Sequence, residues 1–204
     1  MQPSAQRLYP VFLKLDGLPA VVVGGGPIAA SKLEGLLDAG ARVTVIAPAI
    51  CAAIRDRAAA NLTLVERGFT AGDLDGARWV VAAATPEVNR EVAAAAAARG
   101  QFVNAVDDVA SASAYLGAVV RRGPALLAIS TGGLAPALAG LIREALEAVL
   151  PHDLERWIEV ARAARADWKR AGTPIAERRP LLLRAIDRIY HGADAQAAGA
   201  GAAP

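Results

Sequence analysis

Two rhythms of apolar residues alternate along the first half of the chain. Short runs rich in β-branched residues, at 20–23, 42–46, 62–65, 79–83 and 102–105, predict strands. Between them, 28–39, 50–60 and 87–99 have the composition and apolar spacing of helices, and Gly40 and Gly100 mark two of the stops. Strand and helix in turn predict an α/β fold, a parallel sheet wrapped by helices. After Asp108 the rhythm changes. Residues 115–120 and 125–129 predict two antiparallel strands joined at Arg121-Arg122-Gly123-Pro124. Helices follow at 136–150, 153–170 and 175–190, divided by Pro151 and by Ala171-Gly172-Thr173-Pro174. The expected organisation is a sheet domain at 1–108, a small segment of two strands and a helix at 109–150, a helical domain at 151–191, and a disordered Gly- and Ala-rich tail at 192–204.

Composition narrows the class. Of the 204 residues 54% are hydrophobic and 21% charged, enough apolar surface for a self-sufficient core. A single cysteine, Cys51, leaves no internal disulfide framework or cysteine zinc site and points to a reducing cytoplasm. The net charge of +2 is too mild to argue for nucleic acid. Its cations are nearly all arginine, the better partner for carboxylates and phosphates. The opening ten residues lack the apolar core of a signal peptide. The uncharged stretch 123–142 is broken by Ser130, Thr131, Gly132, Gly133 and Pro136, which reads as strand, loop and helix and not as a membrane span.

The strongest chemical signal is Val21-Val22-Val23-Gly24-Gly25-Gly26-Pro27-Ile28-Ala29, a strand entering a glycine turn that opens a helix. This matches the G-x-G-x-x-A turn of Rossmann-like dinucleotide folds. Gly24 allows the tight turn, Gly26 the approach of a pyrophosphate, and Ala29 the packing of helix on strand, while the helix N-terminus faces the anion. The second strand ends in Ala47-Pro48-Ala49 with no acid to grip a ribose, which leaves backbone groups around Pro48 and Ala49 for that task and the choice of NAD or NADP open.

Other candidates are few. Asp107 and Asp108 end a strand at the sheet edge where ligands of such folds bind, as catalytic groups or as turn residues. Ser130-Thr131-Gly132-Gly133 leads from a strand into a helix, as an anion loop or as a cap. Arg121 and Arg122 are a solvated turn or partners for an acidic substrate. His152 and His191 read as surface or cap residues, so no metal site is expected, and Cys51 reads as a small core residue.

Together these segments resemble the siroheme-synthase N-terminal family, the precorrin-2 dehydrogenases, some of which also insert iron into sirohydrochlorin. The residues that carry the resemblance are Tyr9-Pro10-Val11-Phe12-Leu13-Lys14-Leu15, then Val22 through Ala29 with Lys32, then Ala39 through Pro48. Ala82-Ala83-Ala84-Thr85 with Asn89, Val103-Asn104-Ala105-Val106-Asp107-Asp108, and Arg122-Gly123-Pro124 with Ile129-Ser130-Thr131-Gly132-Gly133 complete it, in matching order. The family also has Ala-Pro after the second strand. Two positions depart from its pattern. Gly117 stands at the place of a proline, and Thr131 where some relatives have a second serine.

The resemblance implies a cytoplasmic homodimer, with 109–150 as its dimerisation segment, that binds NAD through Gly24, Gly25, Gly26, Pro27, Ile28, Pro48, Ala49 and Thr85. It implies a catalytic Asp107, a tetrapyrrole substrate, precorrin-2, held by Asn104, Arg121, Ser130, Thr131 and Gly132, and Fe(II) or Co(II) as the substrate of any metal insertion. The chain is expected to lack the methyltransferase domain of fused relatives and to act alone. The competing reading is a dimeric module that senses NAD(H) without chemistry, which needs no carboxylate at the sheet edge. A chelatase without dehydrogenase activity would keep Asp107 but need no hydride acceptor.

Overall fold

A computed structural model describes residues 7–57 and 59–199. The expectations for residues 1–6 and 200–204 lie outside them. Five parallel strands, β1 (Pro19–Val23), β2 (Arg42–Ile46), β3 (Leu62–Val65), β4 (Trp79–Ala82) and β5 (Val103–Ala105), form one sheet in the order β3-β2-β1-β4-β5. Helices α1 (Pro27–Asp38), α2 (Ala52–Arg55) and α3 (Pro86–Ala97) connect them. The expected α/β class holds.

Both faces of this sheet are covered, which is why its strands read as nearly unbroken apolar runs. Along β1, Ala20 and Val22 pack on one face with Ala29, Leu33 and Leu36 of α1 and Ile54 of α2. Val21 and Val23 point the other way, against Val92, Ala93 and Ala96 of α3 and Leu74. Burying a valine or leucine fully in this way stabilises by about 1.5–3 kcal/mol.

Three expected boundaries shift for identifiable reasons. The helix expected over 50–60 is one turn, Ala52–Arg55, because Ile54 is its only buried side chain and so short a helix persists only where packing holds it. The strand expected from Tyr115 begins at Ala118: β6 (Ala118–Arg122) pairs with β7 (Ala125–Ile129), and Ala118 already stands opposite Ile129, where the partner strand ends. Arg121 and Arg122 are therefore ladder residues opposite Leu126 and Ala125, and the turn is Gly123-Pro124 alone. The tail expected to be disordered from Gly192 is helical backbone to Gly199, as its alanines favour.

The chain packs as two compact units, one reaching Leu116 and taking in Gly132–Ala135, the other made of Gly117–Thr131 and the chain from Pro136 onward. The first extends past Asp108 because residues 113–114 cover the edge of β5. Val103 N–H donates to Ser113 Oγ at 2.8 Å, and Ser113 and Ala114 N–H both donate to the Val103 carbonyl at 3.0 Å. The second unit holds the β6–β7 hairpin with α4 (Pro136–Val149), α5 (Leu154–Ala171) and α6 (Ile175–Gly199). Among the described residues no helix is long and apolar enough to cross a membrane.

Candidate active site at the carboxyl edge of the sheet

The strand order reverses between β1 and β4, so the loops after these strands diverge and leave a crevice, the usual ligand position of open parallel sheets. The glycine turn follows β1, Ala83-Ala84-Thr85 follows β4, and Val106-Asp107-Asp108 follows β5.

The three glycines have different surroundings. Gly24 continues the ladder by donating to the Ile46 carbonyl at 2.9 Å and has φ 131°, and a Cβ there would run into the Ala83 carbonyl. Gly25 lies against the loop after β2: a Cβ would meet the Ala49 carbonyl, and its own carbonyl accepts from Cys51 N–H at 2.8 Å. Gly26 is unlike either. Its φ of −89° suits any residue, and an added Cβ would meet nothing within 4 Å. The chain's own packing therefore gives no reason for glycine there, whereas close approach of a ligand does. Gly26 is also the N-cap of α1 and supplies no side-chain cap, and Pro27 at the start removes one donor, so the N–H groups of Ile28 and Ala29 have no acceptor within the helix. Such a cradle fits the pyrophosphate of a dinucleotide. Pro48 and Ala49 are exposed on the neighbouring loop, and Thr85 is exposed as the N-cap of α3.

A cavity of about 190 Å³ is lined by Ile28, Ala84, Asn89, Val106, Asp107 and Asp108, among others. It brings the helix of the glycine turn and the acidic end of β5 to one rim. Asp107 is exposed and has φ 56°, the only positive φ of a non-glycine residue among those described. A side chain in the left-handed region costs energy, and such residues concentrate at functional sites. No ion pair holds its carboxylate among the described residues. Asp108 takes the turn role instead. Its Oδ1 accepts from Ser111 N–H at 3.0 Å, and Ser111's side-chain and backbone hydrogen bonds hold its carboxyl below the usual range.

Asn89 lines this cavity, and the sequence did not disclose what it holds together. It is buried on α3, where its Oδ1 accepts from Ala84 N–H at 2.9 Å and its Nδ2 donates to the Val106 carbonyl at 3.4 Å. The available signal was a lone polar residue on the helix face of Val92, Ala93 and Ala96.

Of the residues expected to hold substrate, Asn104 belongs to the first unit. It is buried in β5 and donates from Nδ2 to the Ala114 carbonyl at 3.1 Å. Arg121 is exposed on β6, and Ser130 and Thr131 follow β7, all in the second unit, while Gly132 counts with the first. Arg122 serves the second unit's own packing, donating to the Glu147 carbonyl at the end of α4 at 3.0 Å and lying 3.2 Å from His152 Nδ1. Cys51 is the half-buried N-cap of α2, packed against the core. A wider depression of about 600 Å³, lined by Asp75, Arg78, Arg99 and Phe102 among others, opens at the amino ends of β4 and β5, away from the glycine turn.

Known proteins are similar to this chain. Siroheme synthase 1 of Aeromonas salmonicida (strain A449) is 40% identical over 185 residues, 88% of this chain and 39% of that protein. The siroheme synthase of Psychromonas ingrahamii (strain DSM 17664 / CCUG 51855 / 37) is 43% identical over 184 residues, 89% of this chain and 38% of that one. The chain thus spans about two fifths of the length of these relatives. A solved structure described as SirC, precorrin-2 dehydrogenase, matches with a TM-score of 0.72 and 29% identity over 90% of this chain and 92% of its own. A family described as putative NAD(P)-binding matches residues 11–118, the stretch that carries all five parallel strands, the glycine turn and the rim of Asp107, and the chain belongs to that family.

Proposed function

We propose that the chain catalyses the NAD-dependent dehydrogenation of precorrin-2 to sirohydrochlorin. The observation that carries this reading is the single rim shared by Ile28, at the start of the glycine-turn helix, and Asp107 in its left-handed conformation. The names of the siroheme synthases and of the precorrin-2 dehydrogenase structure supply the substrate class. The reaction removes one hydride and one proton from the substrate. When bound, the nicotinamide supplies the hydride acceptor. Gly24, Gly25, Gly26, Pro27 and Ile28 hold the dinucleotide by its pyrophosphate, with Pro48, Ala49 and Thr85 along its length. The Asp107 carboxylate receives the proton, a general-base role that needs an accessible oxygen at the rim. The Asn104 amide, donating to the Ala114 carbonyl, steadies the end of β5 that leads into Asp107.

Metal insertion belongs to the same reading. The Asp107 carboxylate that accepts a proton during dehydrogenation would accept pyrrole N–H protons as Fe(II) or Co(II) enters sirohydrochlorin as a substrate. The chain works as a cytoplasmic homodimer. Support for the dimer comes from α4, whose Leu138, Leu141, Ile142 and Val149 are exposed, and from the hairpin, whose Val119 and Leu126 are exposed as well.

The test is the absorbance of precorrin-2 with the purified chain, with and without NAD. Sirohydrochlorin should form only with NAD, and Asp107→Asn should slow it at least a hundredfold while NAD still binds. NAD binding with no turnover would replace the enzyme by the sensor. Metal-dependent spectral change on adding Fe(II) or Co(II) to sirohydrochlorin tests the insertion.

A further inference from the structure

The adenosine end of the proposed dinucleotide site is read by the loop after β2, and there the chain lacks the acid that would grip a ribose 2′-hydroxyl. Ala47 stands in its place. The next strand supplies a carboxylate. Ala47 N–H donates to the Val65 carbonyl at 3.2 Å, extending the β2–β3 ladder by one step, and the residue after Val65 is Glu66. Glu66 receives a two-pronged hydrogen bond from Arg55, Nη1 to Oε1 at 2.5 Å and Nη2 to Oε2 at 2.6 Å. The third edge of the same guanidinium donates from Nε to the Ile50 carbonyl at 2.9 Å. Loop 47–51 is itself fastened to the glycine turn by Cys51 N–H on the Gly25 carbonyl. Arg55 and Glu66 thus bracket the loop that faces the adenosine end.

A nearby arginine commonly accommodates the 2′-phosphate of NADP at this place, because the doubly charged group is well held by the paired N–H donors of its fork. Here the fork is full. The neighbouring arginines are engaged too, Arg57 with Glu34 at 2.9 Å and Arg67 with Asp73 at 2.5 Å. A phosphate binding to this guanidinium would have to displace the Glu66 carboxylate from it.

We propose that the Arg55–Glu66 pair selects NAD over NADP, with Glu66 occupying the guanidinium that would otherwise accept a 2′-phosphate. The proposal rests on the nicotinamide-dinucleotide reading of the glycine turn. It differs from a simple surface staple between α2 and β3 in a measurable way: a staple, once removed, weakens both dinucleotides alike, whereas a selector changes their ratio.

Titration calorimetry with NAD and with NADP, on the full chain at low salt, decides it. The wild type should bind NAD at least tenfold more tightly. In Glu66→Gln, and independently in Glu66→Ala, the ratio of the NADP to the NAD dissociation constant should fall about tenfold, and the change should shrink in high salt as exposed charges are screened. Adding Arg55→Gln to Glu66→Gln should return the preference toward NAD. A circular dichroism melt on each variant confirms folding. An unchanged ratio in both Glu66 variants, or a wild type that favours NADP, overturns the proposal while leaving the cofactor site standing. A wild type that binds neither dinucleotide overturns the cofactor reading and the selector with it.

Discussion

The backbone N–H of Ala84 donates to Oδ1 of Asn89 at 2.9 Å, and this one bond fastens the loop after β4 to the helix that follows it. The other end of the same amide donates to the Val106 carbonyl, immediately before Asp107. Two walls of the cavity are therefore held by one buried side chain. Asn89→Ala removes both bonds and should cost about 1–3 kcal/mol of stability, read from urea unfolding at unchanged m-value. Turnover should fall more than NAD affinity does, because the rim of Asp107 loosens while the glycine turn keeps its own contacts.

Asp107 combines a strained backbone with the carboxylate proposed for chemistry, so stability and activity should separate there. Asp107→Gly relaxes the left-handed φ and should raise stability by about 0.5–1 kcal/mol while abolishing turnover. Asp107→Val, whose branched side chain tolerates that region poorly, should lose about 1–2 kcal/mol. If both variants lose stability equally, the conformation is set by something other than the residue's own backbone preference.

Acid sensitivity should come in part from the end of β3. The Arg67 guanidinium, aided by the Thr70 N–H and hydroxyl and opposed by partial burial, pushes the Asp73 carboxyl from its ordinary 3.8 down to about 2. A folded value below the unfolded one means that the pair's contribution is full above about pH 4 and is lost as the pH falls toward 2. Arg67 is half exposed, so solvent screening reduces the contribution to about 1 kcal/mol. Denaturant unfolding of wild type and Asp73→Asn from pH 6 to pH 2 should show curves that converge at the acid end.

Most of the sheet and its glycine turn were legible in the sequence because they rest on local pattern. Apolar runs such as Val21-Val22-Val23, the glycines after them and the stops at Gly40 and Gly100 encode their own geometry. What escaped depends on partners distant in the chain. The one-turn α2 is short because nothing beyond Ile54 is buried on it, and β6 starts late because its partner strand ends at Ile129, opposite Ala118. Residues 113–114 join the first unit through hydrogen bonds to Val103 that no periodicity announces. The same holds at the site: Asp107 was visible as an acid at a strand end, whereas the reach of Asn89 to Val106 and of Arg55 to Glu66 appears only in three dimensions.

The glycine turn offers the sharpest contrast between folding and binding, since its glycines are required for different reasons. At Gly24 a methyl group would strike the Ala83 carbonyl in a backbone with φ 131°, so Gly24→Ala should destabilise the chain by about 2–5 kcal/mol. At Gly26 the same methyl meets open space at an ordinary φ, so Gly26→Ala should be neutral or stabilise by up to about 1 kcal/mol by restricting the unfolded chain. It should nevertheless weaken NAD at least tenfold, because the space it fills is the approach of the pyrophosphate. Paired measurements of urea stability and NAD affinity on the two variants test this directly. A Gly26→Ala chain that stays folded and keeps its NAD affinity would show that the cofactor does not lie against the turn.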